Sequence, residues 1–157
     1  MRTLVEAPGP RGVLSPHHRK VNLRNDRVDV FALGLRLISV ALLSADGWVH
    51  LHLWQDGYRR ISTIGPLFLT GAVSALVIAA VLLVRPSRLI ATSGFGLVMG
   101  ILAGFLVSVN FGLFGFKEAL SAPYAGESIA LEIAAGAALG TWTVVDLIKD
   151  RSGRATK

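Results

Sequence analysis

The side chains best suited to chemistry are concentrated in residues 46–56, which contain two histidines, two aspartates and two tryptophans. If this stretch is helical, residues four apart lie one turn from each other on the same face. Asp46 is then paired with His50, and His52 is paired with Asp56. A carboxylate one turn from an imidazole fixes its tautomer and stabilises its charged form, which is useful in a metal site or a proton relay.

The spacing of the two histidines argues against a ready-made metal site. His50 and His52 lie about 200° apart around a helix and cannot bind one ion while both are helical. Haem ligation by two histidines would need a dimer or a partner, because His17 and His18 lie in the N-terminal tail. We therefore predict no cofactor, and we leave open whether His50 and His52 bind a metal or are amphipathic residues at the membrane interface.

Motifs for catalysis are not found in this sequence. The chain has no cysteine, which excludes disulfides, thiolate metal ligands and cysteine nucleophiles. It has no phosphate-binding loop with its lysine, no serine or threonine with a histidine and an acid at a recognised spacing, and no His-Glu-x-x-His motif. The sequence therefore predicts a protein that is not an enzyme.

The composition is that of a membrane protein. Of 157 residues, 52% are hydrophobic and 17% are charged, and the mean hydropathy is +0.57. Ordinary soluble domains have about 25% charged residues. The net charge is +6, but the basic residues lie between apolar runs, which indicates membrane topology and argues against nucleic-acid binding.

Four apolar runs are long enough to cross the hydrocarbon core of a bilayer, which takes about twenty helical residues. They predict an all-α bundle of four transmembrane helices at about residues 28–53, 64–84, 89–111 and 128–148. Residues 1–25 are predicted to form a disordered basic tail without a cleavable signal peptide, and residues 149–157 a second basic tail.

The distribution of basic residues predicts the orientation. Both tails and the turn at Arg85 are basic, whereas the other two loops contain only Arg59, Arg60 and Lys117. Positive loops stay on the cytoplasmic side, so both termini are predicted to be cytoplasmic in a multi-pass protein of the bacterial inner membrane. Arg36, near the start of the first helix, is expected to extend to the headgroups or to form an ion pair inside the bundle.

Two acidic residues lie within the predicted spans. Glu132 is about one turn inside the outer end of the fourth helix, at a depth similar to that of Asp46. Because an ionised carboxylate facing lipid is costly, two alternatives remain. Either Glu132 lies near His50 or Asp46 in the bundle interior, or its side chain extends to the outer interface.

Small residues recur at every fourth position in the third and fourth helices. In lipid, such faces allow helices to approach closely, so the sequence predicts that these two helices pack together. The predicted packing residues are Gly96, Gly100, Gly104 and Ser108 on the third helix, and Gly136 and Gly140 on the fourth.

Several short segments carry a resemblance to a known group of proteins. They are His50-Leu51-His52-Leu53-Trp54, residues 57–61, residues 64–69 and Leu113-Phe114-Gly115-Phe116. In these the chain resembles small, uncharacterised actinobacterial four-helix integral membrane proteins over most of residues 30–145. The resemblance implies a fold and a membrane location, and no activity, cofactor or binding residue.

Two functions are expected from these observations. The first is a non-enzymatic accessory or scaffold component that packs through its small-residue helix faces, with the bilayer, another membrane protein or a second copy as partner. The alternative is a protein that handles a ligand, a metal or protons, with an oligomeric transporter as one form. Its polar cluster on the outer side would comprise Asp46, His50, His52, Asp56 and Glu132.

Overall fold

The computed structural model describes residues 23–155, with side chains from 27 to 151. Within that range the chain forms four helices, and a single 3-10 turn, Tyr58–Arg60, follows the first. The helices are α1 (Leu23–Asp56), α2 (Ile64–Val84), α3 (Arg88–Phe111) and α4 (Ala125–Ala155). The predicted all-α fold of four helices is confirmed.

Each helix contains a segment long and apolar enough to cross a membrane. The four segments are Arg27–Asp56, Ile64–Val84, Arg88–Phe111 and Ala125–Arg151. Many large apolar side chains lie on the outside of the bundle, among them Val84 and Phe111. An apolar exterior of this kind is unfavourable in water and suits lipid, so the architecture fits a multi-pass membrane protein.

The first and last helices are longer than expected. Helix α1 begins at Leu23, and α4 continues to Ala155, so most of the predicted C-terminal tail is helical. Ion pairs hold this extension: Lys149 Nζ lies 2.6 Å from Asp29 Oδ1, and Arg88 contacts two aspartates one turn apart on α4, Asp146 and Asp150. The tail predicted to be disordered lies, up to residue 22, outside the described residues.

The four helices do not pack equally against one another. Helix α1 packs against α2 and α4, and α4 also packs against α3, whereas α2 and α3 touch less. The apolar core lies in the half of the bundle nearest the α2–α3 turn. Its largest fully buried members are Leu43, Leu82, Val98 and Leu139.

Small residues on α4 and α1 allow close helix contacts. A Cβ atom added at Gly136 would lie 2.6 Å from Met99 Cε, and one at Gly140 would lie 3.6 Å from Phe95 Cε2. The side chains of α3 therefore cover the glycines of α4. A comparable contact joins α1 and α2, where a Cβ at Gly47 would be 3.0 Å from the backbone oxygen of Ala72.

The glycine face of α3, formed by Gly96, Gly100 and Gly104, does not pack against another helix within the described residues. A Cβ added at any of the three would meet no atom of those residues within 4 Å. The prediction that these three residues pack against α4 is therefore wrong, although α3 and α4 do pack together. The contact uses Phe95 and Met99, because large side chains on α3 fill the space above the glycines of α4.

Arg36 was expected to extend to the lipid headgroups or to form an ion pair, but in the structure it binds backbone oxygens of α2. Its Nε donates to the backbone oxygen of Leu82 at 3.0 Å, and its Nη2 donates to that of Leu83. The last carbonyl groups of a helix have no partner inside the helix and carry partial negative charge. The guanidinium of Arg36 therefore caps the C-terminal end of α2.

Candidate functional site

Three polar side chains meet in the bundle interior. Asp46 and His50 lie one turn apart on α1, and Glu132 lies on α4. Their exposed fractions are 0%, 5% and 1%, respectively. One nitrogen or oxygen atom from each side chain lies within 4.8 Å of the other two. Of the two alternatives for Glu132, the structure therefore shows the interior one.

The imidazole of His50 is held on two sides. Its Nδ1 lies 3.0 Å from the backbone oxygen of Asp46 and 3.4 Å from Asp46 Oδ1. Because a carbonyl oxygen can only accept, Nδ1 carries the proton in this hydrogen bond, and in the neutral ring Nε2 has the lone pair. The ring also packs against Phe68, with 5.4 Å between the centroids. The orientation of the imidazole is thus fixed.

The carboxylates of this cluster lack hydrogen-bond partners within the described part of the chain. Neither oxygen of Asp46 accepts a hydrogen bond there, and nor does Glu132 Oε2. Most buried polar atoms in proteins are partnered, because leaving one unpaired costs about 1–3 kcal/mol. Three acceptor atoms without a hydrogen bond at one place, one of them 3.4 Å from His50 Nδ1, therefore mark a site that can receive a cation or a group of donors.

The other two predicted members of the cluster lie apart from it. His52 Nε2 is 3.2 Å from Asp56 Oδ2, and their side chains are 40% and 59% exposed. The ring of His52 also packs edge-on against Tyr124. The structure therefore separates the five predicted residues into a buried group of three and an exposed pair on another face of α1.

A cavity of about 400 Å³ lies beside the buried cluster. All four helices and the α3–α4 loop line it, and most of the lining is apolar. The glycine face of α3 forms one wall, so the absence of side chains there creates space for the cavity. The polar lining residues are His50, Tyr58, Thr70, Ser108, Glu118, Ser128 and Glu132.

The cavity opens sideways between α2 and α3. Leu67 and Thr70 of α2 line it and are exposed, as are Gly96 and Gly100 of α3. These residues lie within the segments that can span a membrane. The opening therefore faces across the helix axes, toward the region that lipid occupies in a bilayer.

A hydrogen-bond network lies at the end of the cavity near the α3–α4 loop. Tyr58 donates to Glu118 Oε2 at 2.7 Å, and its ring stacks on Phe68 at 4.3 Å. The backbone N–H of Glu118 donates to Ser108 Oγ at 3.2 Å. Burial, and then the hydrogen bond and charge of Glu118, raise the pKa of Tyr58, so its hydroxyl stays neutral.

Comparison with known proteins gives no family for this chain. No protein-family model matches it, and searches of curated proteins and of solved structures find no match. The resemblance to actinobacterial four-helix proteins therefore remains a prediction, and function has to be argued from the site itself.

Sequence reasoning missed the contact between Tyr58 and Glu118. The two residues are 60 positions apart, and neither belongs to a recognisable motif. The only sequence signal was the aromatic composition of the α3–α4 loop. Ser108, predicted to contact α4, instead binds this loop through Glu118 and the backbone oxygen of Phe116.

Proposed function

We propose that this protein binds a bilayer-soluble amphiphile with a basic head group, a lipophilic amine, in the lateral cavity. The ammonium group would lie against Glu132 and His50, and the hydrocarbon part would occupy the apolar space between α2 and α3. The observation that carries the proposal is the unpartnered oxygen of Glu132, a buried carboxylate on the wall of an otherwise apolar cavity.

The two glutamates that line the cavity differ in a way that supports this assignment. Glu118 accepts from Tyr58 through Oε2 and from the backbone N–H of Ala119 through Oε1, at 3.1 Å. Both of its oxygens are thus used within the protein. Glu132 is 1% exposed and leaves Oε2 without a partner among the described residues. Glu118 therefore stabilises the fold, and Glu132 is available to a ligand.

The chemistry of the lining selects the class of ligand. A charged group enters an apolar environment only when it is paired, so an ammonium requires a carboxylate there. A neutral alkyl chain would fill the cavity but leave Glu132 unpaired, and an anionic head would be repelled by it. An amine satisfies the carboxylate with both its charge and its N–H donors, and His50 offers a second acceptor.

The shape of the cavity supports entry from the membrane. Its opening lies between two helices that can span a bilayer, at exposed Gly96 and Gly100. With both termini in the cytoplasm of a bacterial cell, as the basic residues favour, the buried cluster would lie toward the outer half of the inner membrane. A ligand dissolved in the bilayer could then reach Glu132 without crossing water.

The accessory or scaffold role is the competing proposal. It was based on small-residue faces that pack helices together, and three of the residues on those faces, Gly96, Gly100 and Gly104, line the cavity instead. Ligand binding is also a non-enzymatic role. It needs no catalytic group. It also gives a role to the buried polar side chains of Glu132 and His50, for which a scaffold has no use.

Saturable binding of radiolabelled dodecylamine to the protein in nanodiscs tests the proposal. We expect Glu132→Gln to weaken binding at least tenfold, because the amide keeps the shape and removes the charge. Glu118→Gln is the matched control, and it should change binding less than twofold. Dodecanol, which has the same chain and no charge, should compete at least tenfold more weakly than dodecylamine.

A second pair of variants tests the location. Gly100→Leu should block binding by filling the cavity, since no atom of the described residues lies within 4 Å of a Cβ there. Gly34→Leu places the same side chain in open space elsewhere, because Gly34 is not a lining residue. The proposal fails if wild-type protein binds no more dodecylamine than empty nanodiscs, or if Glu132→Gln and Gly100→Leu both bind as wild type does.

A further inference from the structure

We infer that Asp46, His50 and Glu132 form a binding site for a divalent transition-metal ion of the Zn²⁺ class. The inference goes beyond amine binding, because it depends on Asp46, which does not line the cavity. The three residues come from two helices, α1 and α4, which pack directly against each other. An ion at this position would join the two helices.

The donor set determines the class of metal. An imidazole favours Zn²⁺ and its transition-metal neighbours, whereas Ca²⁺ and Mg²⁺ prefer sites made of oxygen alone. Two carboxylates with a neutral imidazole carry a charge of −2, which one divalent ion neutralises. In a low-dielectric interior a neutral group is strongly favoured over a charged one, so the charge balance also favours a divalent ion.

The positions of the three side chains are close to those of a zinc site. With metal–ligand bonds of about 2.0–2.2 Å, neighbouring ligand atoms in a tetrahedral site lie about 3.4 Å apart. His50 Nδ1 and Asp46 Oδ1 are 3.4 Å apart, and the full set lies within 4.8 Å. To bind the ion through Nδ1, the imidazole would give up its hydrogen bond to the Asp46 backbone oxygen and carry its proton on Nε2 instead. Rotation of the Glu132 side chain into another rotamer would bring its carboxylate closer to the other two ligand atoms.

The unpaired oxygens supply a second, independent observation. Asp46 and Glu132 are 0% and 1% exposed, and three of their four carboxylate oxygens accept no hydrogen bond from the described residues. Carboxylates this deeply buried need a cation or a proton. A metal ion could bind carboxylate oxygens of both residues at once. A single proton shared between the two carboxylates would leave at least one of the three oxygens without a hydrogen bond.

The site would keep one coordination position open. Zinc sites with three protein ligands hold water or substrate in the fourth position. His50 and Glu132 line the cavity, so that position would face it. Because the ion and an amine would both use Glu132, we expect them to exclude each other.

The metal test requires a protein without competing histidines. His17 and His18 should be replaced by alanine and no histidine tag used, because tail imidazoles can bind Zn²⁺ themselves. After treatment with a chelator and dialysis against ZnCl₂, we expect one zinc per chain. Asp46→Asn and His50→Ala should each weaken zinc binding at least tenfold.

The exposed pair on α1 provides a matched control. His52 has an aspartate one turn away, as His50 does, but lies outside the cluster. His52→Ala should therefore leave zinc binding unchanged. Co²⁺ should give the d–d absorption of a tetrahedral site, and Asp46→Asn or Glu132→Gln should remove it while gel filtration still shows folded protein. A purely structural role of these residues would not produce such a spectrum.

The two binding proposals can fail separately. Asp46→Asn should weaken zinc binding at least tenfold and leave dodecylamine binding within about twofold. Gly100→Leu should block dodecylamine binding and leave zinc binding within about twofold. The metal inference is overturned if the wild-type protein takes up no zinc, or if His50→Ala and His52→Ala bind it equally. Loss of amine binding alone would overturn only the proposed function.

Discussion

The carboxylates of Asp46 and Glu132, on two different helices, each place an oxygen within 4.8 Å of the other. Both side chains are almost completely buried, and His50 is the only imidazole beside them among the described residues. Like charges this close inside a protein oppose folding unless a cation or a proton lies between them. The arrangement is therefore explained better by binding than by stability.

Removal of one carboxylate should stabilise the metal-free protein. We expect Glu132→Leu to raise the free energy of unfolding by about 1–3 kcal/mol, because it removes an unpartnered buried carboxylate and fills the space with an apolar group. Thermal unfolding in detergent with a chelator measures the change. Glu118→Leu should have the opposite effect, since it leaves the hydroxyl of Tyr58 without its acceptor. Destabilisation by both variants would contradict this account of Glu132.

The hydroxyl of Tyr58 should resist ionisation at alkaline pH. Burial and Glu118 raise its pKa above the ordinary value of 10.0. The chain has two tyrosines, so the Tyr124→Phe variant isolates Tyr58 in absorbance at 295 nm. We expect its midpoint above pH 10, and a lower midpoint after Glu118→Ala, although burial should keep it raised.

Ionisation of the Tyr58 hydroxyl should also make the free energy of unfolding depend on pH. A group whose pKa is raised by folding contributes stability that is fully present below its unfolded pKa. The contribution of Tyr58 should thus be complete below about pH 10 and be lost as the pH rises through its folded value. If Tyr58 of the Tyr124→Phe protein ionises with a midpoint at pH 10 while the protein is still folded, neither the burial of its hydroxyl nor its hydrogen bond to Glu118 holds in solution.

The sequence predicts the helices well because length and composition alone decide them. The charge-free run from Ile64 to Val84 matches α2 at both ends. The end of α4 was predicted too early, because its last turns depend on contacts between distant residues. Lys149 and Asp29 are 120 positions apart, and no local pattern predicts such a pair.

The candidate site could be predicted in part. Helical spacing placed His50 with Asp46, and similar membrane depth suggested Glu132 as a neighbour. Spacing does not predict the surroundings of Gly96, Gly100 and Gly104, because a bare helix face permits either close packing or an empty space. Which one forms depends on the opposing side chains: Met99 covers Gly136, whereas no atom of the described residues comes within 4 Å of a Cβ at Gly100.

Glycines at close helix contacts should be less tolerant of substitution than those at the cavity. A methyl group at Gly47 would lie 3.0 Å from a backbone oxygen and 2.9 Å from Leu76 Cγ, so α1 and α2 would have to separate. We expect Gly47→Ala to lower the free energy of unfolding by about 1–3 kcal/mol. Gly96→Ala should have no effect or raise it by up to about 1 kcal/mol, because the space there is open and alanine favours a helix. Denaturant titration compares the two, and equal losses would show that α3 packs through its glycine face.

The orientation in the membrane can be tested with single cysteines, since the chain contains none. Gln55, at the end of α1, and Ser87, between α2 and α3, are both exposed and lie at opposite ends of the bundle. If both termini are cytoplasmic, Gln55→Cys should react with a membrane-impermeant maleimide added to intact cells. Ser87→Cys should react only after the membrane that holds the protein is permeabilised. The turn that contains Ser87 is expected on the cytoplasmic side because Arg85 and Arg88 flank it, and positively charged loops stay in the cytoplasm. Labelling of Ser87→Cys in sealed cells, with Gln55→Cys protected, would reverse the orientation and place Asp46, His50 and Glu132 toward the cytoplasmic half of the membrane.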